Sequence, residues 1–236
     1  MSNDELWLRT LLLKNDVQIT DIKLQQLVHY KNLLLEWNSK INLISRKDEE
    51  NVWRTHILLS LSYLFKVTFP NRALIADLGT GGGMPGIPLS ILCQENSFVL
   101  IDSIQKKCNA VEQMIHELHL TNAKVIHGRA EELSALAEFK NNFDIVVARS
   151  VSNLSNLLQW SSGLLKTKGK EVNVLVHEKV LIQSPSLITL KGGEVDEELA
   201  KAKLKFPHQK IELYPLVFYG SEQLINQDKK IVIASK

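Results

Sequence analysis

The chain has 236 residues, enough for one large α/β domain with an appendage or for two small domains. Hydrophobic residues make up 44% of it and its net charge is +2, so it can bury a sizeable core, and composition alone does not demand a nucleic-acid partner. Cys93 and Cys108 are its only cysteines and form no C-x-x-C pair, which argues against a zinc site and a disulfide framework. No signal pattern and no long apolar span is found, so a reduced, cytoplasmic protein without a membrane partner is expected, with no metal. Charge is unevenly spread. Residues 1–72 carry 10 basic and 8 acidic groups, residues 73–150 carry 6 and 9, and residues 151–236 carry 12 and 9. An acidic middle between basic flanks suits a cofactor core with a polyanion-facing rim. Solvated faces explain such small excesses equally well.

In chain order, residues 4–69 read as helical. Thr20 is placed to cap a helix in which Ile22, Leu24, Leu27, Tyr30, Leu33, Leu34, Trp37 and Ile41 recur at near-helical spacing. A second amphipathic stretch runs from about Glu49 to Phe65, and Pro70-Asn71 breaks it. Residues 1–70 are therefore expected to form a helical cap. From Ala73 strands are predicted at 73–77, 97–101, 123–126 and 143–147, and helices at 86–94, 104–119, 131–138 and 153–165. This alternation means βαβ units, a mainly parallel sheet and one edge that carries all the strand carboxyl ends. Beyond Lys168-Gly169, strands are predicted at 171–176 and 186–190, a helix over 194–205, and a closing strand pair at 211–219 and 230–234. Residues 71–236 are thus expected to be one Rossmann-like domain.

The richest segment is Ala73-Leu-Ile-Ala-Asp77-Leu-Gly79-Thr-Gly81-Gly-Gly83-Met-Pro85-Gly86. A short apolar run ends in an acid, and five glycines in eight residues follow. Such a turn lets the backbone approach a ligand closely, and the helix behind it aims free N–H groups at an anionic group. The stretch formally fits the dinucleotide pattern G-x-G-x-x-G. Its order D-x-G-x-G-x-G resembles instead the S-adenosylmethionine (AdoMet) loop of class I methyltransferases.

Other candidates follow at the strand ends. Asp102 closes the second strand, where an acid can accept hydrogen bonds from both ribose hydroxyls or simply complement a helix dipole. Arg129-Ala130-Glu131-Glu132 follows the third strand, in the loop that lies over an adenine in this fold. The two acids also fit a first helical turn. Arg149 ends the fourth strand, and a charge on a buried central strand is costly unless it has a partner or a task. His56 lies on an apolar stretch and reads as a packed core residue or as a site residue. Lys106-Lys107 and the run Lys201, Lys203, Lys205 fit solvated faces or RNA contacts, and Lys191-Gly192-Gly193 after a strand is more suggestive of RNA contact. Residues 144–151 hold neither an Asn/Asp-Pro-Pro-Tyr box nor a Pro-Cys nucleophile, and no acid–base pair is evident nearby. A ring nitrogen with a free lone pair, such as guanine N7, needs none of these and loses no proton.

Taken together the motifs resemble the GidB family of bacterial 16S rRNA guanine-N7 methyltransferases, over nearly the whole chain. Leu35-Glu-Trp37-Asn38-Ser-Lys-Ile-Asn42-Leu43 is similar to K-W-N-x-x-x-N-L, and Thr55-His56-Ile-Leu-Leu-Ser60 to R-H-I-x-D-S. Asp77 to Pro88 is similar to D-x-G-T-G-x-G-x-P-G-I-P. Leu100-Ile-Asp102-Ser103, Arg129-Ala-Glu-Glu132, Ala148-Arg149-Ser150 and Leu190-Lys191-Gly192 match the remaining signatures. The resemblance implies a class I AdoMet-dependent fold with an antiparallel closing strand and an N-terminal helical cap. It implies AdoMet contacts at Gly79, Met84, Ala130, Glu131 and Arg149, joined by Gly81, Gly83 and Asp102 from the residue reading. Arg149 is the expected catalytic residue. The expected partner is 16S rRNA, the 30S subunit or its assembly precursor, met by a monomer through Arg46, Lys47, Arg54, His56 and Lys191.

Three departures stand out. Leu59 occupies the place of the family's Asp, Thr55 that of an Arg, and Ser150 that of an Ala. Residues 171–185 read as an insertion whose valines predict an extra strand or hairpin. A methyltransferase acting on a small molecule or protein, and a non-catalytic ribosome-associated module that binds AdoMet, are the competing readings. Leu59 keeps the latter open.

Overall fold

The computed structural model describes residues 2–167, 174–176, 179–222 and 228–235. Its centre is a seven-stranded sheet. Strands β1 (Leu74–Leu78), β2 (Ser97–Asp102), β3 (Ala123–His127), β4 (Ile145–Arg149), β5 (Ser186–Gly192), β6 (Lys210–Pro215) and β7 (Lys229–Ser235) lie in the order β3-β2-β1-β4-β5-β7-β6. The first five are mutually parallel, and β7 runs antiparallel to both β5 and β6.

Both faces of this sheet are covered, so its strands are near-continuous apolar runs. Alternate side chains feed two cores. Ile75, Leu100, Ile145, Val147 and Ile188 enter one, and Ala76, Val99, Ile101, Val146 and Ala148 enter the other. The second core is closed by Ala130 and Leu133 of α5 (Ala130–Leu133), by Leu154, Leu157 and Leu158 of α6 (Leu154–Ser162) and by Ala202 of α7 (Asp196–Lys205). The first core is closed by α3 (Gly86–Leu92), α4 (Gln105–Glu117) and the N-terminal helices α1 (Asn3–Lys14) and α2 (Asp21–Asn38). The cap thus shares one apolar core with the sheet.

Helix α2 starts where its sequence predicts, with Thr20 Oγ1 accepting from the Lys23 N–H at 3.3 Å. Leu24, Leu27, Tyr30 and Leu34 face the core, whereas Ile22 is 74% exposed. The helix stops at Asn38, short of Ile41. The Asn38 side chain accepts from the N–H groups of Leu43 and Ile44 at 2.8 and 2.9 Å and donates to Glu49 at 2.6 Å, which folds the chain back. The second amphipathic stretch is not one helix. It is a 3-10 turn (Arg46–Asn51), a π-helical turn (Trp53–Leu58) and two short α turns (Leu59–Leu61 and Tyr63–Lys66). Side-chain hydroxyls of Thr55, Ser60 and Ser62 bond to carbonyls one turn back, and such bonds loosen a regular helix.

Elsewhere boundaries move by a few residues. The helix predicted over 131–138 is helical only at Ala130–Leu133. The fourth strand begins at Ile145 rather than 143: Phe143 bridges to Leu165 instead, and Asp144 keeps backbone bonds to Leu74 and Ser186 while its carboxylate accepts from Leu74 N–H, Lys166 and Ser184. The insertion forms a strand pair, Val174–Val176 antiparallel to Lys179–Leu181, with residues 171–173 of the predicted strand outside the described residues. Lys179–Leu181 also runs parallel to Val67–Thr68, so the insertion is tied to the end of the cap.

Candidate active site

The strands β1, β2 and β4 end on the same edge, and each delivers one of the expected residues there. Behind β1, the Gly79 and Thr80 N–H groups both donate to the Ile101 carbonyl, at 2.8 and 3.0 Å, which stitches the glycine loop to β2. Gly81 adopts a left-handed φ of +58°, and a Cβ there would meet nothing closer than 4.0 Å, so the backbone is bare toward the cavity. Gly83 has φ +92° and is buried behind the loop against Ile87. Asp102 is buried. One oxygen accepts from Gly81 N–H and the other from Ile104 N–H, both at 2.9 Å, which leaves each oxygen a second lone pair.

Asp77 lies beneath the loop with no exposed surface. One of its oxygens accepts from Thr80 Oγ1 at 2.6 Å and Gly86 N–H at 2.8 Å, and the other has no partner. Burial pushes its pKa up to about 6, against the pull of those two bonds and of Arg149. Gly86 is obligatory at this contact, because a Cβ would stand 2.7 Å from the carboxylate.

Above the buried Asp77, Gly83 and Gly86 lies a cavity of about 740 Å³ whose walls include Gly79, Gly81, Met84, Asp102, Arg149 and, from the cap, Leu43, His56 and Leu59. A second cavity of about 370 Å³ adjoins it through Gly79, Asp102, Lys107, Ser150 and Val151, and is closed by Arg129, Ala130 and Glu131. A bare glycine turn, a fixed carboxylate with spare acceptor capacity and a volume in the range of ligand pockets fit a nucleoside-bearing cofactor.

Arg149 projects into the larger cavity. It donates to the Thr55 carbonyl at 3.4 Å, to His56 Nδ1 at 3.4 Å and to the Met84 sulfur at 3.1 Å, and it forms no ion pair among the described residues. As Nδ1 accepts, His56 is neutral with its proton on Nε2, which donates to Asp48 at 3.1 Å. Burial, then the Arg149 charge, lowers the His56 pKa, and Asp48 opposes them. The residue is neither a plain core histidine nor a surface cation. It orients the arginine.

Two fully buried cap tyrosines reach the same edge. Tyr30 Oη donates to the Gly82 carbonyl at 2.9 Å and Tyr63 Oη to the Ala148 carbonyl at 2.8 Å. Sequence periodicity marks Tyr30 only as an apolar position. Asp48 and Lys229 line the same cavity and Tyr63 reaches its edge, although no motif announces any of the three; Lys107, which also fits a solvated face, lines the cavity as well. Leu59 is buried and adds an apolar patch where the resemblance expects an acid.

The expected RNA-facing cations are distributed differently. Arg46 and Lys47 are exposed, between Ser45 and Asp48 of the cavity wall. Arg54 turns to α1, stacking 4.6 Å above Trp7 and meeting Asp4 at 3.5 Å, and does not line the cavity. Lys191 lines it, yet its ammonium is bound to Glu198 at 2.7 Å and to the Ser152 carbonyl at 2.6 Å. Glu131 is exposed and Ala130 buried at the start of α5. Among the described residues there is no cluster of metal-ligating side chains, and no helix is long and apolar enough to cross a membrane.

The sequence profile of the GidB family, described as rRNA small subunit methyltransferase G, matches residues 23–225. A protein named ribosomal RNA small subunit methyltransferase G from Pelodictyon phaeoclathratiforme is 36% identical over 100% of this chain and 96% of its own length. The protein of the same name from Chlorobaculum tepidum is 38% identical over 99% of both chains. Among solved structures, a SAM-dependent methyltransferase from Aquifex aeolicus superposes with a TM-score of 0.51 at 13% identity, covering 85% of this chain and 97% of that one. At that identity the likeness shows the fold alone, which is the class I methyltransferase fold. With the family profile covering most of its length and the two named relatives matching it nearly end to end, the chain belongs to the rRNA small subunit methyltransferase G family.

Proposed function

We propose that the protein transfers the methyl group of AdoMet to N7 of a guanine in a 16S rRNA loop. The observation that carries this reading is the convergence of the glycine loop, Asp102 and Arg149 on one cavity that the cap completes. Gly79, Gly81 and Met84 hold the methionine end, Asp102 the ribose hydroxyls, and Ala130 and Glu131 the adenine edge in the adjoining cavity. The bound cofactor supplies a methyl group on a positive sulfonium. The protein's part is positioning. Arg149, fixed by Thr55, His56 and Met84, orients the acceptor ring, and Tyr30 and Tyr63 hold the glycine loop and the end of β4. The N7 lone pair attacks without losing a proton, so the wall tolerates Leu59 in place of an acid. Residues 1–70 act as the cap of the catalytic domain 71–236, and the protein works as a cytoplasmic monomer on 16S rRNA or the 30S subunit. Two free cysteines and the lack of a spanning helix among the described residues support that setting. A mass-spectrometric map of N7-methylguanosine in 16S rRNA, with and without the protein, tests the reading. AdoMet binding without any new methylated guanine overturns it.

Two consequences follow from the geometry. Alanine at both Arg46 and Lys47 is expected to weaken rRNA binding across sequences and to lower the salt slope by about two, with AdoMet affinity unchanged. Normal methylation at physiological salt would mean that RNA docks elsewhere. His56 sets the pH profile. Its folded pKa lies below 6.5, so methyl transfer should be level above 6.5 and fall on the acid side of it, as protonation removes the Nδ1 acceptor of Arg149. Asp48→Asn removes the influence that raises this pKa, and the acid limb moves to lower pH. A limb that moves upward in single-turnover profiles would contradict the neutral-histidine assignment.

A further inference from the structure

We infer that Lys229, the first residue of β7, binds a phosphate of the RNA acceptor beside the target base, in a channel that Gly192 keeps open. The inference rests on the rRNA methyltransferase reading and names the residue that anchors its substrate.

Of the lysines and arginines that line the main cavity, Lys191 is already neutralised by Glu198. Lys229 is not. The residue is half-buried, and its ammonium has no hydrogen bond or ion pair to any described residue. The acid next to it in sequence, Asp228, is engaged by Lys230, whose ammonium also donates to the Gly193 carbonyl at 2.9 Å. Within the cavity, Asp48 is bonded to His56, and Asp102 to Gly81 and Ile104. Arg149 meets only neutral acceptors. Arg149 and Lys229 therefore face one cavity with no carboxylate among the described residues between them, while the third such cation, Lys107, stands on the Asp102 side where the two cavities join, and burial and the Arg149 charge both lower the Lys229 pKa. An anion entering there relieves both.

Position along the sheet says which anion. β7 is separated from β1, which carries the glycine loop, by β4 and β5. At the usual inter-strand spacing that is about 14 Å. The cofactor's methionine end lies over β1, so Lys229 stands on the acceptor side of Arg149. Gly192 pairs with Lys229 across the ladder, and a Cβ on Gly192 would come within 2.8 Å of the Lys229 ammonium. The lysine lies across the bare backbone of the glycine. This accounts for Lys191-Gly192 at the end of β5: the lysine braces the Ser152 turn and the glycine makes room for Lys229.

The test compares wild type, Lys229→Ala, Lys229→Arg and Gly192→Ala, with 30S subunits lacking the N7 methyl group and with free 16S rRNA as probes. Lys229→Ala should raise the KM for RNA about tenfold and lower the salt slope of RNA binding by about one, with AdoMet affinity within twofold of wild type. Lys229→Arg should restore most of the loss. Gly192→Ala, which only displaces the flexible end of Lys229, should reproduce part of it. A fall in AdoMet affinity at unchanged RNA affinity would assign Lys229 to the cofactor carboxylate and overturn the inference. Unchanged values in Lys229→Ala would overturn it as well. Should wild type methylate neither probe, the functional reading fails, and filter binding of 30S subunits still decides the matter: equal affinities of wild type and Lys229→Ala overturn the inference.

Discussion

Replacing Arg149 by alanine is expected to leave the protein folded and to cost about a hundredfold in methyl transfer, the scale for losing the alignment of a reacting group. The fold should survive because the guanidinium is a buried charge with no carboxylate partner among the described residues. Its removal leaves only the Thr55 carbonyl and His56 Nδ1 short of a donor, beside a cavity that water can enter. A stability change within about 1 kcal/mol is expected on that ground. Arg149→Lys keeps the charge and loses the planar fork, so it should recover part of the rate only. A second readout separates the electrostatics from the chemistry. Arg149 lowers the pKa of both Asp77 and His56. Without it the folded state holds both protons more tightly. Acidification from pH 7 to pH 5 should then stabilise the variant relative to wild type, read by denaturant unfolding. Near-normal turnover on rRNA would assign Arg149 a structural role.

Valine at Gly81 is expected to abolish AdoMet binding. A β-branched residue is strained at φ +58°, and its side chain would stand in the open space over the loop where the cofactor must approach. The strain should lower the melting temperature by several degrees without unfolding the protein. Isothermal calorimetry should then show no heat with AdoMet for a variant that still melts cooperatively. Gly81→Ala should bind weakly. Valine variants that bind AdoMet with wild-type affinity would mean that the cofactor does not cross this turn. Binding of NAD instead would overturn the reading of the whole loop.

The glycine loop, Asp102 and Arg149 were legible in the sequence because each follows a short apolar run, and a strand's end is a local property. The parallel sheet was legible for the same reason. The regular helix expected from Glu49 to Phe65 was not realised. Periodicity records which side chains face a core, and it is blind to hydroxyls that bond back to the chain and to the π-helical turn at Trp53–Leu58. His56 shows the same limit. One sequence position admits a packed residue or a site residue, and only the approach of Arg149 from residue 149 and Asp48 from the preceding turn separates them.

By itself, then, the sequence determined the α/β class, the sheet edge on which the glycine loop, Asp102 and Arg149 meet, and the family. These depend on local pattern: the period of apolar residues, the glycines that a close approach requires, and an acid or an arginine at a strand end. The tertiary structure decided the rest. It turned Arg54 and Lys191 inward to Asp4, Trp7 and Glu198, and it left the Lys229 ammonium beside the cavity without a partner among the described residues. It also made two cap tyrosines the donors that hold the cofactor loop and the end of β4. The physical reason is that the state of a charge or a hydroxyl depends on the groups within a few ångströms of it, and in a folded chain those groups come from residues tens to hundreds of positions away.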